Sequence, residues 1–125
     1  ITANTVTLNG GLLLSSSLIT SDITYDSTGV NGTKILPNTI ITNSASTTPI
    51  DITIPDNYPV GTQFTVFRYS GNSAVTIKSP NSKLWIGGNN QNEYTQQNLS
   101  TTYVFIPTTS NPSDSVWAVT SIASI

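Results

Sequence analysis

The chain contains no histidine, cysteine or methionine, and only four basic residues, Lys34, Arg68, Lys78 and Lys83, stand against six acids. Each absence removes a class of chemistry. Without histidine and cysteine there is no Ser-His-Asp triad, no Cys-His pair, no imidazole base and no zinc site built on nitrogen and sulfur. Disulfide stapling is excluded, and the redox compartment is left undetermined. Four cations neutralise too few phosphates for strong nucleic-acid binding, which draws its affinity from many Lys and Arg contacts. No apolar run approaches the ~20 residues that span a bilayer, the run of leucines after Gly10-Gly11 being far too short, so membrane insertion is not expected. No signal peptide is in view.

What is present is polar without being charged. Charged residues make up 8% of the 125 residues and the hydrophobic share is 36%, against averages of about 25% and ~45–50%, and threonine, serine and asparagine fill the difference. Disorder normally combines high net charge with few β-branched and aromatic residues. Here the net charge is -2, and isoleucine, valine, tyrosine and phenylalanine recur in short runs suited to a pleated, half-buried surface. An ordered all-β protein follows. Its length is one domain's worth, enough to bury roughly two thirds of the unfolded chain's surface.

The runs alternate with a period of two. Ile50, Ile52 and Ile54 alternate with Asp51 and Thr53 and stop at the turn cluster Pro55-Asp56-Asn57. In residues 59–79, Phe64, Val66 and Arg68 take one face of a strand and Thr65, Phe67 and Tyr69 the other. Ser70-Gly71-Asn72-Ser73 then reads as the loop of a hairpin returning through Val75 and Ile77. Phe67 and Tyr69, opposite the core face, call for a second partner. Leu84-Trp85-Ile86, Thr102 to Ile106 and Val116 to Ile122 read as further strands, the last apolar on both faces at its start and so placed centrally in a sandwich or against another subunit. Asn9-Gly10 and Asn31-Gly32 are candidate type I′ turns. No segment has a helical period. Aligning Ile1, Leu18, Ile35 and Ile52 gives a faint 17-residue period, in which Val6, Ile23 and Ile40 also coincide. Ordinary strand spacing in an all-β chain produces the same pattern.

With enzymes of the histidine and cysteine classes gone, carboxylates remain. A glycosidase pair needs a defined separation across a sugar-sized cleft, and nothing in the spacing of Asp22, Asp26, Asp51, Asp56, Glu93 and Asp114 selects one. Asp56 and Asp114 sit in turns, where a carboxylate accepts local backbone hydrogen bonds. Asp22 and Asp26 share a face if their segment is extended throughout, a weak candidate for a calcium ion that lacks the dense pattern of a dedicated loop, and a solvated strand face explains them equally well. No catalytic residue and no cofactor is expected. The sequons at Asn31 and Asn98 matter only in a secretory host.

The more informative constellation is Trp85 and Tyr94 flanking the amide-rich stretch from Gly87 to Asn98. Aromatic faces stack on sugar rings, and the amides of Asn89, Asn90, Gln91 and Gln96 bond hydroxyls with little cost in charge desolvation. Read as a loop, this stretch is a candidate contact surface for a glycan or a protein. The competing reading makes Trp85 and Tyr94 ordinary core or rim aromatics.

The strand Gly61-Thr62-Gln63-Phe64-Thr65-Val66, the segment Gly71 to Ile77 with Ala74-Val75-Thr76-Ile77, and the closing runs Thr102 to Ile106 and Val116-Trp117-Ala118-Val119 together resemble a module common in phage tail-fibre, tail-spike and head-fibre proteins. The 17-residue spacing is similar to the shaft repeats of trimeric viral fibres. The resemblance implies an antiparallel β-sandwich-like head over residues 49–125, preceded over residues 1–48 by a short shaft-like β segment, or the two as one continuous domain. It further implies a homotrimer on the virion surface, joined to other virion proteins through its N-terminal segment. Such a module attaches to a host-surface receptor, glycan or protein, or else serves as a purely structural capsid or fibre decoration. A bacterial adhesin or pilin-like domain, with a sheet edge completed by a neighbour's strand, is a third reading. The depolymerase members of the family need a long β-helix, for which this chain is too short.

Overall fold

The computed structural model describes residues 14–43, 48–70, 74–96 and 98–123. In chain order the strands are β1 (Ser16–Ile19), β2 (Ile23–Thr24), β3 (Thr39–Asn43), β4 (Ile50–Thr53), β5 (Gln63–Ser70), β6 (Val75–Lys78), β7 (Leu84–Ile86), β8 (Asn89–Gln91), β9 (Glu93–Thr95), β10 (Ser100–Ile106) and β11 (Val116–Ala123). Among the described residues the only helical turn is a 3₁₀ turn at Pro112–Asp114. The protein is all-β and sandwich-like: a seven-stranded sheet, β1-β3-β5-β10-β11-β7-β8, faces a four-stranded sheet, β2-β4-β6-β9.

The first six strands alternate between the sheets. β1, β3 and β5 stack in parallel in the large sheet, and β2, β4 and β6 stack in parallel in the small one. Each pass through both sheets is one coil of a short solenoid, three coils in all, because a parallel neighbour can be reached only by a crossover, here made through the opposite sheet. The remaining strands close this solenoid: β10 pairs antiparallel with β5 and β11, β11 pairs parallel with β7, β7 and β8 form a hairpin, and β9 covers β6.

Several expectations change. The antiparallel arrangement holds for β5-β10-β11, whereas the N-terminal strands pair in parallel. Residues 59–79 are not a hairpin: β5 lies in the large sheet and β6 in the small one. The sheets run without a break across residues 48 and 49, since β3 pairs with β5 and β2 with β4. Nor is the coil 17 residues long. Ser17, Ile40 and Val66 share one register row and Ile23, Ile52 and Ile77 another, while Leu18 and Ile52 belong to different sheets. The hairpin expected around Asn9-Gly10, and Ile1 and Val6 of the period, lie outside the described residues.

The alternation itself is as expected. Ile50, Ile52, Ile54, Phe64, Val66, Val75 and Ile77 are all buried between the sheets, where burial of each such side chain contributes roughly 1.5–3 kcal/mol. β11 is interior, and its Trp117 is fully buried at the centre of an aromatic cluster. The Trp117 ring lies 4.7 Å from Phe105 and 5.4 Å from Phe64, and Phe64 stacks on Tyr103 at 4.9 Å. The Trp117 indole N–H donates to the carbonyl of Pro55 at 3.0 Å, so the buried ring leaves no unpaired donor.

Candidate functional site

The acidic candidates part company in three dimensions. Asp22 is exposed, and its Oδ1 accepts the Asp51 N–H at 2.9 Å. Asp26 turns inward, at the corner between β2 and the Tyr25–Thr33 bridge, and is buried. Its carboxylate accepts from the Thr28 hydroxyl at 2.7 Å, from the N–H groups of Asn31 at 2.9 Å, Val30 at 3.2 Å and Thr28 at 3.3 Å, and from the Asn57 amide. The Thr28 hydroxyl, the Asn31 N–H and the Asn57 amide hold its pKa well below the usual carboxylate range. A cation there would have to displace these donors, and among the described residues no three acidic groups gather to hold a metal. Asp26 ties the coil corner to Asn57, whose Oδ1 and carbonyl also accept from Ser27.

The amide-rich stretch is not a loop. Gly87 and Gly88, at φ of 58° and 87°, form the two-residue turn with positive φ at both positions that joins β7 to β8. Gln96 is buried: its amide N–H group donates to the carbonyls of Val66 and Asn98 at 3.1 and 3.0 Å, and its Oε1 accepts the Tyr103 hydroxyl at 3.1 Å. It is a core group, and burial pushes the Tyr103 phenol up. Tyr94, opposite Ile77 in register, packs half-buried against the core from the small sheet. It is remote from Trp85, which lies on the outer side of the large sheet with its neighbour Leu84 pointing inward.

Trp85, Asn89, Asn90 and Gln91 do stay together on the β7-β8 hairpin, all exposed, with Trp85 directly opposite Asn90. Trp85 and Asn90 line a groove of about 440 Å³ whose other walls are Lys83, Ile106, Thr109 and Asp114, with Thr108 and Val116 beside them. The wall is held in shape locally. Asp114 accepts the Thr109 hydroxyl at 2.6 Å, the Thr108 hydroxyl donates to the Asp114 carbonyl, and Lys83 Nζ donates to the Ser113 carbonyl at 3.1 Å. The Trp117 backbone N–H donates to the Lys83 carbonyl at 2.7 Å, fixing the start of β7 beside β11. Residues 107–115 read as an ordinary turn in the sequence; only the parallel pairing of β11 with β7 brings them next to Trp85.

The outer side of the large sheet has a second property. Register places Leu18, Ile41 and Phe67 in one row and Ser16, Thr39, Thr65, Thr102 and Thr120 in the next, all pointing away from the core. Leu18, Phe67 and Tyr69 are 60%, 38% and 67% exposed. No outward position of the seven strands carries a charge, since Arg68, the one charged residue in these strands, points inward and donates to the Gln96 carbonyl at 3.0 Å. Charges line the other sheet: Lys78 pairs with Asp51 at 2.8 Å and stands opposite Glu93, and the Asp51 contact raises the Lys78 pKa. Among the described residues no helix is long and apolar enough to cross a membrane. No protein-family model, curated protein or solved structure matches the chain.

Proposed function

We propose that the chain is a non-enzymatic fibre-type module that assembles with copies of itself, as a homotrimer, and serves attachment to a host-surface receptor from a virion surface. The observation that carries this reading is the outer side of the large sheet, whose outward strand positions carry no charge and where exposed Leu18 and Phe67 flank half-buried Ile41, with exposed Tyr69 beside them. Contiguous exposed apolar side chains mark interaction surfaces. A face without charges meets copies of itself with no unpaired charge to bury, which removes the largest cost of a self-interface. The resemblance to virion fibres supplies the threefold order and the location.

Light scattering and sedimentation equilibrium test the assembly, with three times the chain mass expected. Phe67→Asp or Leu18→Asp changes an exposed side chain, and the variants should retain the wild-type far-UV spectrum while dissociating. A folded wild-type monomer overturns the reading. Binding of the wild-type assembly to host cells then separates attachment from a purely structural part in a capsid or fibre, which would enter particles and leave cells unbound.

A further inference from the structure

We propose that the groove beside Trp85 is a binding site for an uncharged sugar ring. This rests on the attachment reading and names the chemistry the receptor would present. Trp85 is 42% exposed on the outer side of the large sheet, and Ala118, its register neighbour on β11, is too small to cover the indole. An aromatic face left open in this way offers stacking to the apolar C–H face of a pyranose.

Around the indole stand groups that match ring hydroxyls. The Asn90 amide offers both donors and an acceptor, the Thr109 oxygen keeps one lone pair after donating to Asp114 and accepting the Asn111 N–H, and Lys83 has two N–H donors beyond the one given to Ser113. The groove holds one cation, Lys83, and one anion, Asp114. For a carboxylated or phosphorylated ligand the attraction of Lys83 is offset by the repulsion of Asp114, whereas a neutral polyol accepts from one and donates to the other. A fully apolar ligand is disfavoured because it would desolvate both charges without pairing them. The volume of about 440 Å³ lies in the ~300–1,000 Å³ range of small-molecule sites. The platform is also rigid: a two-residue turn closes the β7-β8 hairpin, and the 3₁₀ turn is bonded to β7 through Lys83. Preorganisation of this kind limits the ordering cost of binding.

The test screens the full protein on an array of neutral and acidic oligosaccharides and follows the hits by fluorescence titration. The two tryptophans separate cleanly, because Trp117 is fully buried and Trp85 is not. Neutral glycans should bind saturably and shift the exposed-tryptophan emission. Trp85→Ala should weaken binding about tenfold or more, Trp85→Tyr should retain part of it, and Asn90→Ala should weaken it several-fold. Tyr94→Ala, on the other sheet, should leave it unchanged. Buried Trp117 emission reports whether each variant is folded. Absence of any neutral-glycan binding, an equal preference for acidic glycans, or unchanged binding by a folded Trp85→Ala variant overturns the assignment. Sedimentation of the same samples keeps the two readings apart: a trimer that ignores every glycan refutes the groove alone, and a monomer that binds one refutes the assembly alone.

Discussion

The buried Asp26 carboxylate accepts three backbone N–H groups and two side-chain donors, so its ionised form is bonded in the folded state and merely hydrated in the unfolded one. A depressed folded-state pKa makes a contribution that is present in full above the unfolded value, near ~4, and is lost as pH falls toward the folded value. Urea unfolding free energies should therefore be flat from neutral pH to about pH 5 and decline below it. In Asp26→Asn that acid slope should be shallower and the neutral-pH stability lower, because the substituted amide turns an N–H group toward donors. An identical slope in the variant would show that Asp26 has no such role. At the other wall of the core, Tyr103→Phe removes the donor to Gln96 Oε1 and leaves a buried acceptor unpaired, at about 1–3 kcal/mol by urea melts. Sequence composition placed Gln96 among exposed amides. Nothing in an amide's own sequence neighbourhood announces that a tyrosine on another strand will cap it.

Glycines meet two different requirements in the strand connections. The Gly87-Gly88 turn requires positive φ, and Gly87→Val should cost about 1–2 kcal/mol while Gly87→Asn, which tolerates that region, costs less, as read from thermal or urea unfolding. Gly32 was expected to serve the same purpose and does not: its φ is not in the left-handed region, and a Cβ there would lie 2.5 Å from the Thr24 carbonyl oxygen. Gly32→Ala must push the β2 backbone, at about 1–3 kcal/mol. Period-two alternation assigned inward and outward faces along Ile50–Ile54, Phe64–Val66 and Val75–Ile77 because it reports burial. It says nothing about which strand lies alongside. Residues 59–79 consequently looked like a hairpin, when β5 and β6 are two walls of one coil. The groove was half visible for the same reason: Trp85 and Asn90 are neighbours through a short turn, whereas Lys83 and Asp114 meet only through the pairing of β7 with β11.

At the scale of the molecule, the ten charged side chains are segregated. Asp51, Lys78 and Glu93 occupy the outer side of the small sheet with Asp22 at its margin, the rest lie in turns or, as Arg68, inside, and no outward strand position of the large sheet carries one, Lys83 and Asp114 standing only at its Trp85 end. The two sides therefore respond to solvent in opposite ways. Contacts between exposed ion pairs weaken as salt shortens the Debye length from ~30 Å at about 0.01 M to ~3 Å at about 1 M. Burial of apolar and hydroxyl-bearing surface does not, and excluded salts such as sulfate strengthen it. If copies join through Leu18, Ile41 and Phe67, sedimentation equilibrium should return the same association constant across that range of sodium chloride and a higher one in sulfate. Phe67→Lys should abolish association at every salt concentration, while Lys78→Ala should leave it within about twofold, since an exposed pair contributes about 0–1 kcal/mol to stability and lies on the far sheet. Dissociation by sodium chloride, or loss of assembly in Lys78→Ala, would instead place the interface on the charged small sheet and leave the large sheet free.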